Sequence, residues 1–466
     1  MPEKRDLVIV GGGPGGYVAA LRAAQLKKKV TLLEEDRIGG TCMNYGCIPT
    51  KFLLHQTQIF SLLKRTQGIE GCSETARLNW KRVQEEKKNV VDRLVKGTEF
   101  LLERNGVQVL NGRGELNGDR KVLFSGPSGE KTLEAENIIL AMGSRSSDLP
   151  FLKPNGEEVI THREALDLEA IPRTMIVVGA GAIGLEIGAI FSRAGAEVTV
   201  LEIMPAILPG MDKQMAARLE RMLKKQGLKI FTEMRIEEVI LERGKARLKG
   251  TNLKTKSGFE HSAEKVLLAA GRKPNSEILT KDCANLLDRA GFVQVNSRLG
   301  TRIPGISAIG DLIGGKLLAH KAEHEGIVAA ENAAGIFTEM DYQAVPMAVF
   351  TEPEFASVGL TEEEAKARGI QTCIGLFSLQ ANGRAMTLES PEGMVKLIAS
   401  TDDRVIGAHI LAPQASELIA EMTLAIKHGL RVKDISSTIH VHPTLSEAIM
   451  EAALKVKGMA LHALNE

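Results

Sequence analysis

The sequence predicts an α/β protein built from two doubly wound, Rossmann-like nucleotide-binding domains and a C-terminal α+β domain. Two observations carry the first part. An apolar strand, a glycine-rich turn and a helix at 7–26 return in the same order at 175–193, and each copy is followed by a second apolar strand closing on a glutamate. A third observation adds the last domain: beyond Pro346, strand-like runs at 394–399 and 405–411 alternate with a helical run at 416–428.

In the first copy, residues 7–10 form a short continuous apolar run, as expected of a parallel strand buried on both faces. Gly11 permits the tight turn, Gly13 lets the backbone approach a pyrophosphate, and Gly16 lets the helix pack closely on the strand. Pro14 suits a first helical turn, where its missing N–H is not needed. A helix over 17–26 and a strand over 30–34 follow, ending on Glu34. In the second copy Gly179, Gly181 and Gly184 take the same three places, with a helix over 185–193 and a strand over 198–202 ending on Glu202. Each glutamate lies eighteen residues past the third glycine, close to the spacing of a carboxylate that binds ribose hydroxyls. Helix N-terminal N–H groups would face the phosphates. Residues 203–209 contain no basic side chain, and Glu202 would repel a 2′-phosphate, so the second copy favours NAD over NADP.

The 466 residues are 44% hydrophobic and 25% charged, enough for several cores of ordinary size, and the net charge of +1 gives no reason to expect nucleic acid or a membrane surface as partner. No apolar run is long enough to span a bilayer, and strand-like sequence from residue 7 leaves no room for a targeting peptide. Five cysteines in so long a chain do not make a secreted disulfide scaffold, so a reducing, cytoplasmic setting is expected.

Cys42 and Cys47 lie just beyond the first nucleotide cradle, in Gly39-Gly40-Thr41-Cys42-Met43-Asn44-Tyr45-Gly46-Cys47-Ile48-Pro49-Thr50-Lys51. Dithiols, flavins and nicotinamides all move two electrons, so their adjacency suggests electron transfer between them. Positions five apart on an ideal helix are roughly 8–9 Å apart, too far for a disulfide; bonding needs a break, which Gly46 is placed to allow. The alternatives are two buried free thiols or half of a metal site, although a zinc site would want further Cys or His nearby. No metal is expected. Cys72, Cys283 and Cys373 are isolated and read as packed or surface thiols. The charge-rich stretch 77–104, with Trp80, suits long amphipathic helices.

The dithiol segment resembles throughout the signature of the FAD-dependent pyridine nucleotide-disulfide oxidoreductases. The similarity extends along the chain through Ile309-Gly310-Asp311, Leu318-Ala319-His320-Lys321-Ala322, Gly271-Arg272-Lys273-Pro274-Asn275 and His440-Val441-His442-Pro443-Thr444-Leu445-Ser446-Glu447. The last of these and residues 203–212 are most similar to the branch of the family that acts on dihydrolipoyl groups. The resemblance implies a flavin-facing Cys47, an interchange Cys42, and His442 as general base oriented by Glu447. It further implies a Lys51–Glu186 ion pair beside the flavin and contacts to FAD from Glu34, Gly143, Asp311 and Ala319. Gly271, in the turn closing the NAD domain, would join the cofactor-binding residues. His440 reads as structural.

On this resemblance, residues 1–148 form an FAD-binding domain and 149–273 an NAD-binding domain. Residues 274–344 complete the FAD site, and 345–466 form a dimerisation domain. The implied assembly is a homodimer in which the histidine of one chain completes the site of the other. The implied partner is a separate lipoyl-bearing protein of a 2-oxo acid dehydrogenase or glycine cleavage complex. A glutathione-type reductase, which would want basic residues near Glu202, and a non-catalytic flavin-bound structural subunit, which would not need the dithiol, are the rival readings. Three positions depart from the usual pattern. Met142 and Ser307 bear on flavin-side packing or domain linkage, and Tyr45 is expected near the sulfurs, where it would alter redox potential or substrate access.

Overall fold

The computed structural model describes residues 3–66, 75–118, 120–127, 129–277, 279 and 281–465; Cys72 lies outside them. The first sheet contains β1 (Glu3–Val10), β2 (Val30–Glu34), β3 (Gln108–Asn111), β4 (Arg113–Leu116), β5 (Lys121–Gly126) and β6 (Gly129–Leu140), in the order β3-β2-β1-β6-β5-β4. β1 runs parallel to β2 on one side and to β6 on the other, so a crevice opens beyond Val10, where ligands of doubly wound sheets bind. Leu7, Val8 and Ile9 are fully buried, as a strand covered on both faces requires.

Helix α1 (Pro14–Gln25) begins three residues before the sequence reading placed it, with Pro14 in its first turn. The glycines belong inside the helix because close packing is their purpose there: at Gly16 an added Cβ would lie 1.8 Å from the Gly11 carbonyl oxygen. Two helices follow β2: α2 (Gly40–Tyr45) and α3 (Cys47–Arg65). The charged stretch forms one helix, α4 (Trp80–Arg104), which turns Trp80, Val83, Val91, Val95 and Leu102 inward. The Trp80 indole donates to the Leu168 carbonyl at 2.8 Å and packs 5.7 Å from Phe191, centre to centre.

After β7 (Ser144–Ser146), β8 (Val159–Ile160) and the short α5 (His162–Leu166), the second copy repeats the plan with β9 (Thr174–Val178), α6 (Ala182–Ala194), β10 (Glu197–Leu201), α7 (Lys213–Lys225) and β11 (Lys229–Phe231). The strand β10 stops one residue before Glu202, freeing that carboxylate to turn back toward the glycine loop. An antiparallel meander of β12 (Met234–Glu242), β13 (Lys245–Asn252) and β14 (Gly258–Ala263) leads into β15 (Lys265–Leu268), which completes the parallel sheet β11-β10-β9-β15-β8. β16 (Arg272–Pro274) then pairs antiparallel with β7.

The chain next returns to the first unit: β17 (Ile306–Ala308) adds to β6 in parallel, and α8 (Ala319–Ala333) packs against α1. The two helices meet backbone to backbone, since a Cβ on Gly326 would lie 2.4 Å from the Gly15 carbonyl oxygen. Ser307 pairs with Ile139 in this added strand, inside the first sheet.

The last unit is an antiparallel sheet of β18 (Met347–Val349), β19 (Glu354–Gly359), β20 (Thr372–Ser378), β21 (Met394–Ser400) and β22 (Val405–Ala412), covered by α9 (Ala415–Lys427) and α10 (Glu447–Val456). A buried cation ties it to the second unit: Lys396 Nζ lies 2.8 Å from both Asp212 and Glu362, and Asp212 also caps α7 by accepting from the Met215 N–H. Cys283 is buried and Cys373 exposed. Among the described residues no helix is long and apolar enough to cross a membrane, and no group of three or more His, Cys, Asp or Glu could hold a metal ion.

Candidate active site

The first glycine turn is shaped by contacts that only a missing side chain allows. Gly11 sits at φ +104°, and a Cβ there would lie 2.4 Å from the Ala141 carbonyl oxygen. Gly13 faces space, with its nearest neighbour the Gly40 Cα at 4.0 Å. The Glu34 carboxylate is pinned by two backbone donors, Gly12 at 2.7 Å and Asp36 at 2.8 Å. Burial pushes this carboxyl up despite those donors. The second turn repeats the plan. Gly179 has φ +105°, a Cβ on Gly184 would lie 2.1 Å from the Gly179 oxygen, and Gly181 has nothing within 4 Å. Glu202 accepts from the Ala180 N–H at 2.6 Å and the Met204 N–H at 2.8 Å.

From the first turn a cavity of about 660 Å³ runs past Glu34, Gly13 and Gly143 to Cys42, Cys47 and Lys51. Its residues fit an extended dinucleotide. Gly13 and Gly143 leave backbone bare, Gly143 having nothing within 4 Å of its missing Cβ, while Glu34 and Asp311 offer carboxylates for hydroxyl groups. Ala319, at the start of α8, also lines it. The helix α6 enters from the far side through Ala182, Ile183 and Glu186.

Gly46 breaks the helix between the two cysteines with φ −140° and ψ −108°; a Cβ there would press within 2.8 Å of the Thr41 carbonyl oxygen. The break brings the sulfurs into hydrogen-bond contact as free thiols. Asn44 holds the turn, its amide donating to the Ile38 and Gly40 carbonyls at 3.0 Å each. The hydrogen bond from Cys42 draws the Cys47 thiol down, against burial, and Lys51 adds to the effect. Cys47 is also the first residue of α3, where the helix dipole favours a thiolate. Donation to Cys47, then burial, push the Cys42 thiol up. One sulfur is thus set to carry the charge and the other the proton.

One turn after Cys47, the Lys51 ammonium bonds Glu186 Oε2 at 2.8 Å and stands 4.4 Å from the centre of the Phe350 ring. Glu186 is buried, and its other oxygen accepts from the Phe350 N–H at 2.9 Å. This group therefore joins all three units at the cavity. Sequence reasoning had no signal for Phe350.

Asp311 stands on a one-turn 3-10 helix just after β17 and accepts from the Ser144 hydroxyl at 2.5 Å. Arg272 donates to the hydroxyl and the carbonyl of Ser144 at 2.7 Å each and lines the cavity. Gly271 turns the chain at φ +117° and accepts from the Ser147 N–H; the neighbouring Arg272 lines the cavity. Gly16 serves packing rather than lining. A buried pair on α8 fixes the Asp311 turn. Glu325 accepts from the Gly310 N–H at 2.7 Å, and Lys321, 3.0 Å from Glu325, donates to the Gly314 carbonyl. Only the i, i+4 spacing of Lys321 and Glu325 could have signalled it. The Met142 carbonyl accepts from the Asn275 amide at 2.8 Å, and Met142 lines the cavity.

Within one chain His442 does not join the thiols. It stands 80% exposed on the C-terminal unit, its Nδ1 2.8 Å from Glu447 Oε1. Glu447 also accepts from the Thr444 N–H at 2.8 Å. Burial raises this carboxyl, but the Thr444 donor and His442 outweigh it and hold it below the usual range. The peptide between His442 and Pro443 is cis. Ile439 and Val441 beside the histidine are 96% and 74% exposed, an apolar surface of the kind an interface covers. The His440 side chain is only 6% exposed by contrast, bonded to the Thr438 carbonyl and to Glu421. Tyr45 lines the same cavity as both cysteines, and its hydroxyl and ring are engaged by Asp36 and Arg163.

The chain resembles known proteins over nearly its full length. Residues 5–326 match pyridine nucleotide-disulphide oxidoreductase, and residues 345–453 match the dimerisation domain of the same family. The chain is 43% identical to a dihydrolipoyl dehydrogenase of Thermus scotoductus over 99% of both chains. It is 40% identical to the mitochondrial dihydrolipoyl dehydrogenase of Dictyostelium discoideum over 99% of this chain and 96% of that one. Among solved structures it is similar to LpdA from Mycobacterium tuberculosis, with TM-score 0.89, 29% identity and coverage of 97% of this chain and 99% of that one. The HOCl-induced flavoprotein disulfide reductase RclA from Escherichia coli follows at TM-score 0.85 and 26% identity, over 97% and 99% of the two chains. The chain belongs to the pyridine nucleotide-disulphide oxidoreductase family.

Proposed function

We propose that this enzyme oxidises dihydrolipoyl groups to lipoyl disulfide and passes the electrons, through Cys42 and Cys47, to FAD and then to NAD⁺. The single observation that carries the reading is the shared cavity: both sulfurs line the space that begins at the first glycine turn. Full-length similarity to dihydrolipoyl dehydrogenases selects the substrate class. The flavin supplies a two-electron acceptor and the nicotinamide a hydride acceptor.

The chain's own residues handle sulfur and protons. With Cys42 and Cys47 joined as a disulfide, a dihydrolipoyl thiolate attacks Cys42, and Cys47 leaves as a thiolate. The second substrate thiol, deprotonated in turn, attacks the first substrate sulfur, releasing Cys42 and a cyclic disulfide. Two electrons have then entered the cysteine pair. His442 of the partner subunit, whose ring Glu447 of the partner subunit orients, takes the two substrate protons in turn, releasing the first to solvent and returning the second to the Cys42 sulfur. The exposure of His442 in one chain supports that arrangement, because a homodimer would bring it to the second thiol pair. Lys51 and the N-terminus of α3 stabilise the Cys47 thiolate. Glu186 holds Lys51 in place.

Glu202 accepts two backbone N–H bonds and stands beside Ile203 and Met204 rather than arginines, which favours NAD over NADP. The cycling dithiol suits a reducing, cytoplasmic setting. The lipoyl carrier would be a separate protein of a 2-oxo acid dehydrogenase or glycine cleavage complex. Parallel assays with dihydrolipoamide and NAD⁺, dihydrolipoamide and NADP⁺, and glutathione disulfide with NADH test the reading. Turnover is expected in the first alone; glutathione reduction without lipoamide turnover would overturn it.

A further inference from the structure

The proposed electron route does not use Tyr45, yet three contacts fix its position. Its hydroxyl donates to Asp36 Oδ2 at 2.9 Å, Arg163 donates to the same oxygen at 2.8 Å, and the guanidinium carbon lies 3.8 Å from the centre of the Tyr45 ring. Asp36 and Tyr45 belong to the first unit, Arg163 to α5 at the edge of the second. All three line the 660 Å³ cavity, and the Asp36 and Arg163 side chains are 42% and 52% exposed, which places the group at its rim.

Each corner is anchored. The Asp36 N–H donates to Glu34, the carboxylate that faces the adenosine end, and Arg37 beside it bonds Asp92 on α4 at 2.7 Å. Tyr45 closes α2, whose first residues Gly40 and Thr41 line the same cavity. Helix α5 carries a reciprocal cap in which the Thr161 N–H donates to Glu164 at 2.8 Å. Burial and Asp36 raise the Tyr45 phenol, so it remains a donor at working pH.

We propose that Tyr45, Asp36 and Arg163 form a clasp across the mouth of the first nucleotide cavity that governs how fast the bound flavin dinucleotide is released. The inference rests on the reading of that cavity as the FAD site. A dinucleotide lying between Glu34 and Lys51 leaves by passing the Tyr45–Arg163 stack, so the stack must part first. The aromatic ring matters because it gives the cation a flat face in addition to the ion pair.

The test is flavin release from purified holoprotein, followed as recovery of free-flavin fluorescence after dilution, in Tyr45→Val, Tyr45→Phe and Arg163→Ala. Release should quicken about five- to tenfold in Y45V and R163A, and about twofold in Y45F, which keeps the stack and loses the hydroxyl bond. Arg173→Ala, which removes an exposed ion pair with Glu264 in the second unit, should leave the rate unchanged. Wild-type rates in Y45V and R163A, or equal acceleration in R173A, overturn the clasp. A wild-type chain that takes up no flavin would instead overturn the reading of the cavity, and the clasp with it.

Discussion

A Cβ at Gly16 would lie 1.8 Å from the Gly11 oxygen and one at Gly184 2.1 Å from the Gly179 oxygen, and both turns close with a glutamate taking two backbone N–H bonds. Local chemistry barely separates the two cradles. Their surroundings do. Beyond Glu34 come Glu35, Asp36 and Arg37, and the opposite wall is built from α2, the Asp311 turn and α8, with Gly15 and Gly326 in backbone contact. Beyond Glu202 come Ile203 and Met204, 52% and 46% exposed, and the missing Cβ of Gly181 meets nothing within 4 Å. One phosphate cradle can therefore serve a resident nucleotide or a visiting one, according to the wall that the rest of the chain supplies.

The sharpest way to separate the two sides is Cys47→Ser. It removes the sulfur that, in the proposed route, connects the walled cavity to substrate, and leaves the second cradle untouched. Lipoamide turnover should fall by about a thousandfold or more, roughly 4 kcal/mol of barrier. Flavin content and NADH oxidation by an artificial dye should stay near wild type. Loss of both activities together would mean that the sides are not separable in this way.

Gly16→Ala and Gly184→Ala come next, because each forces backbone against backbone and should cost about 3 kcal/mol or more at its own cradle. G16A is expected to purify without flavin. G184A should stay yellow with a raised KM for NAD⁺. Flavin loss from G184A would break the comparison. Gly13→Ala and Gly181→Ala serve as controls, since both face open space and should weaken nucleotide binding without lowering the stability of the apoprotein.

The parts of this design that the sequence displays are those imposed by local geometry. Gly11 and Gly179 need positive φ, Gly16 and Gly184 need close approach, and a cysteine pair interrupted at Gly46 needs a broken helix, so residue type and spacing reveal them. Arg272, Phe350 and the Lys321–Glu325 pair were not legible, because each acts through partners supplied by tertiary packing. Arg272 is an ordinary turn arginine until β16 pairs with β7 and brings Ser144 within reach. The Arg163 partner of Tyr45 is hidden for a related reason: it lies far along the chain and meets the ring only after folding. The helices start at 14 and 182 rather than at 17 and 185, so the third glycine of each motif packs from inside its helix.

Glu202→Gln probes the second cradle more gently. An amide cannot accept from both the Ala180 and Met204 N–H groups as the carboxylate does, so affinity for NAD⁺ should fall about tenfold, near 1.4 kcal/mol. Discrimination against NADP⁺ should narrow at the same time, since the repelling charge is gone. Flavin release should not change. Unaltered NAD⁺ affinity, measured by titration, would remove Glu202 from the nucleotide site.

The smallest effect tests the joint between the two units. His162, at the start of α5, lines the first cavity, with Nδ1 3.1 Å from the Ser146 hydroxyl. Burial first, then Arg272, bring its pKa from 6.5 down to about 4. The folded protein thus favours the neutral ring, and the stability this confers is complete above pH 6.5 and is lost as pH falls toward 4, where the unfolded chain alone takes up the proton. Between pH 6.5 and 5.5 the loss should be about 1 kcal/mol. Other groups titrate in the same window, so the measurement is a difference of urea midpoints between wild type and His162→Gln at both pH values. The wild type should lose about 1 kcal/mol more than the variant. Parallel losses would show that the ring is protonated or solvated in the folded protein.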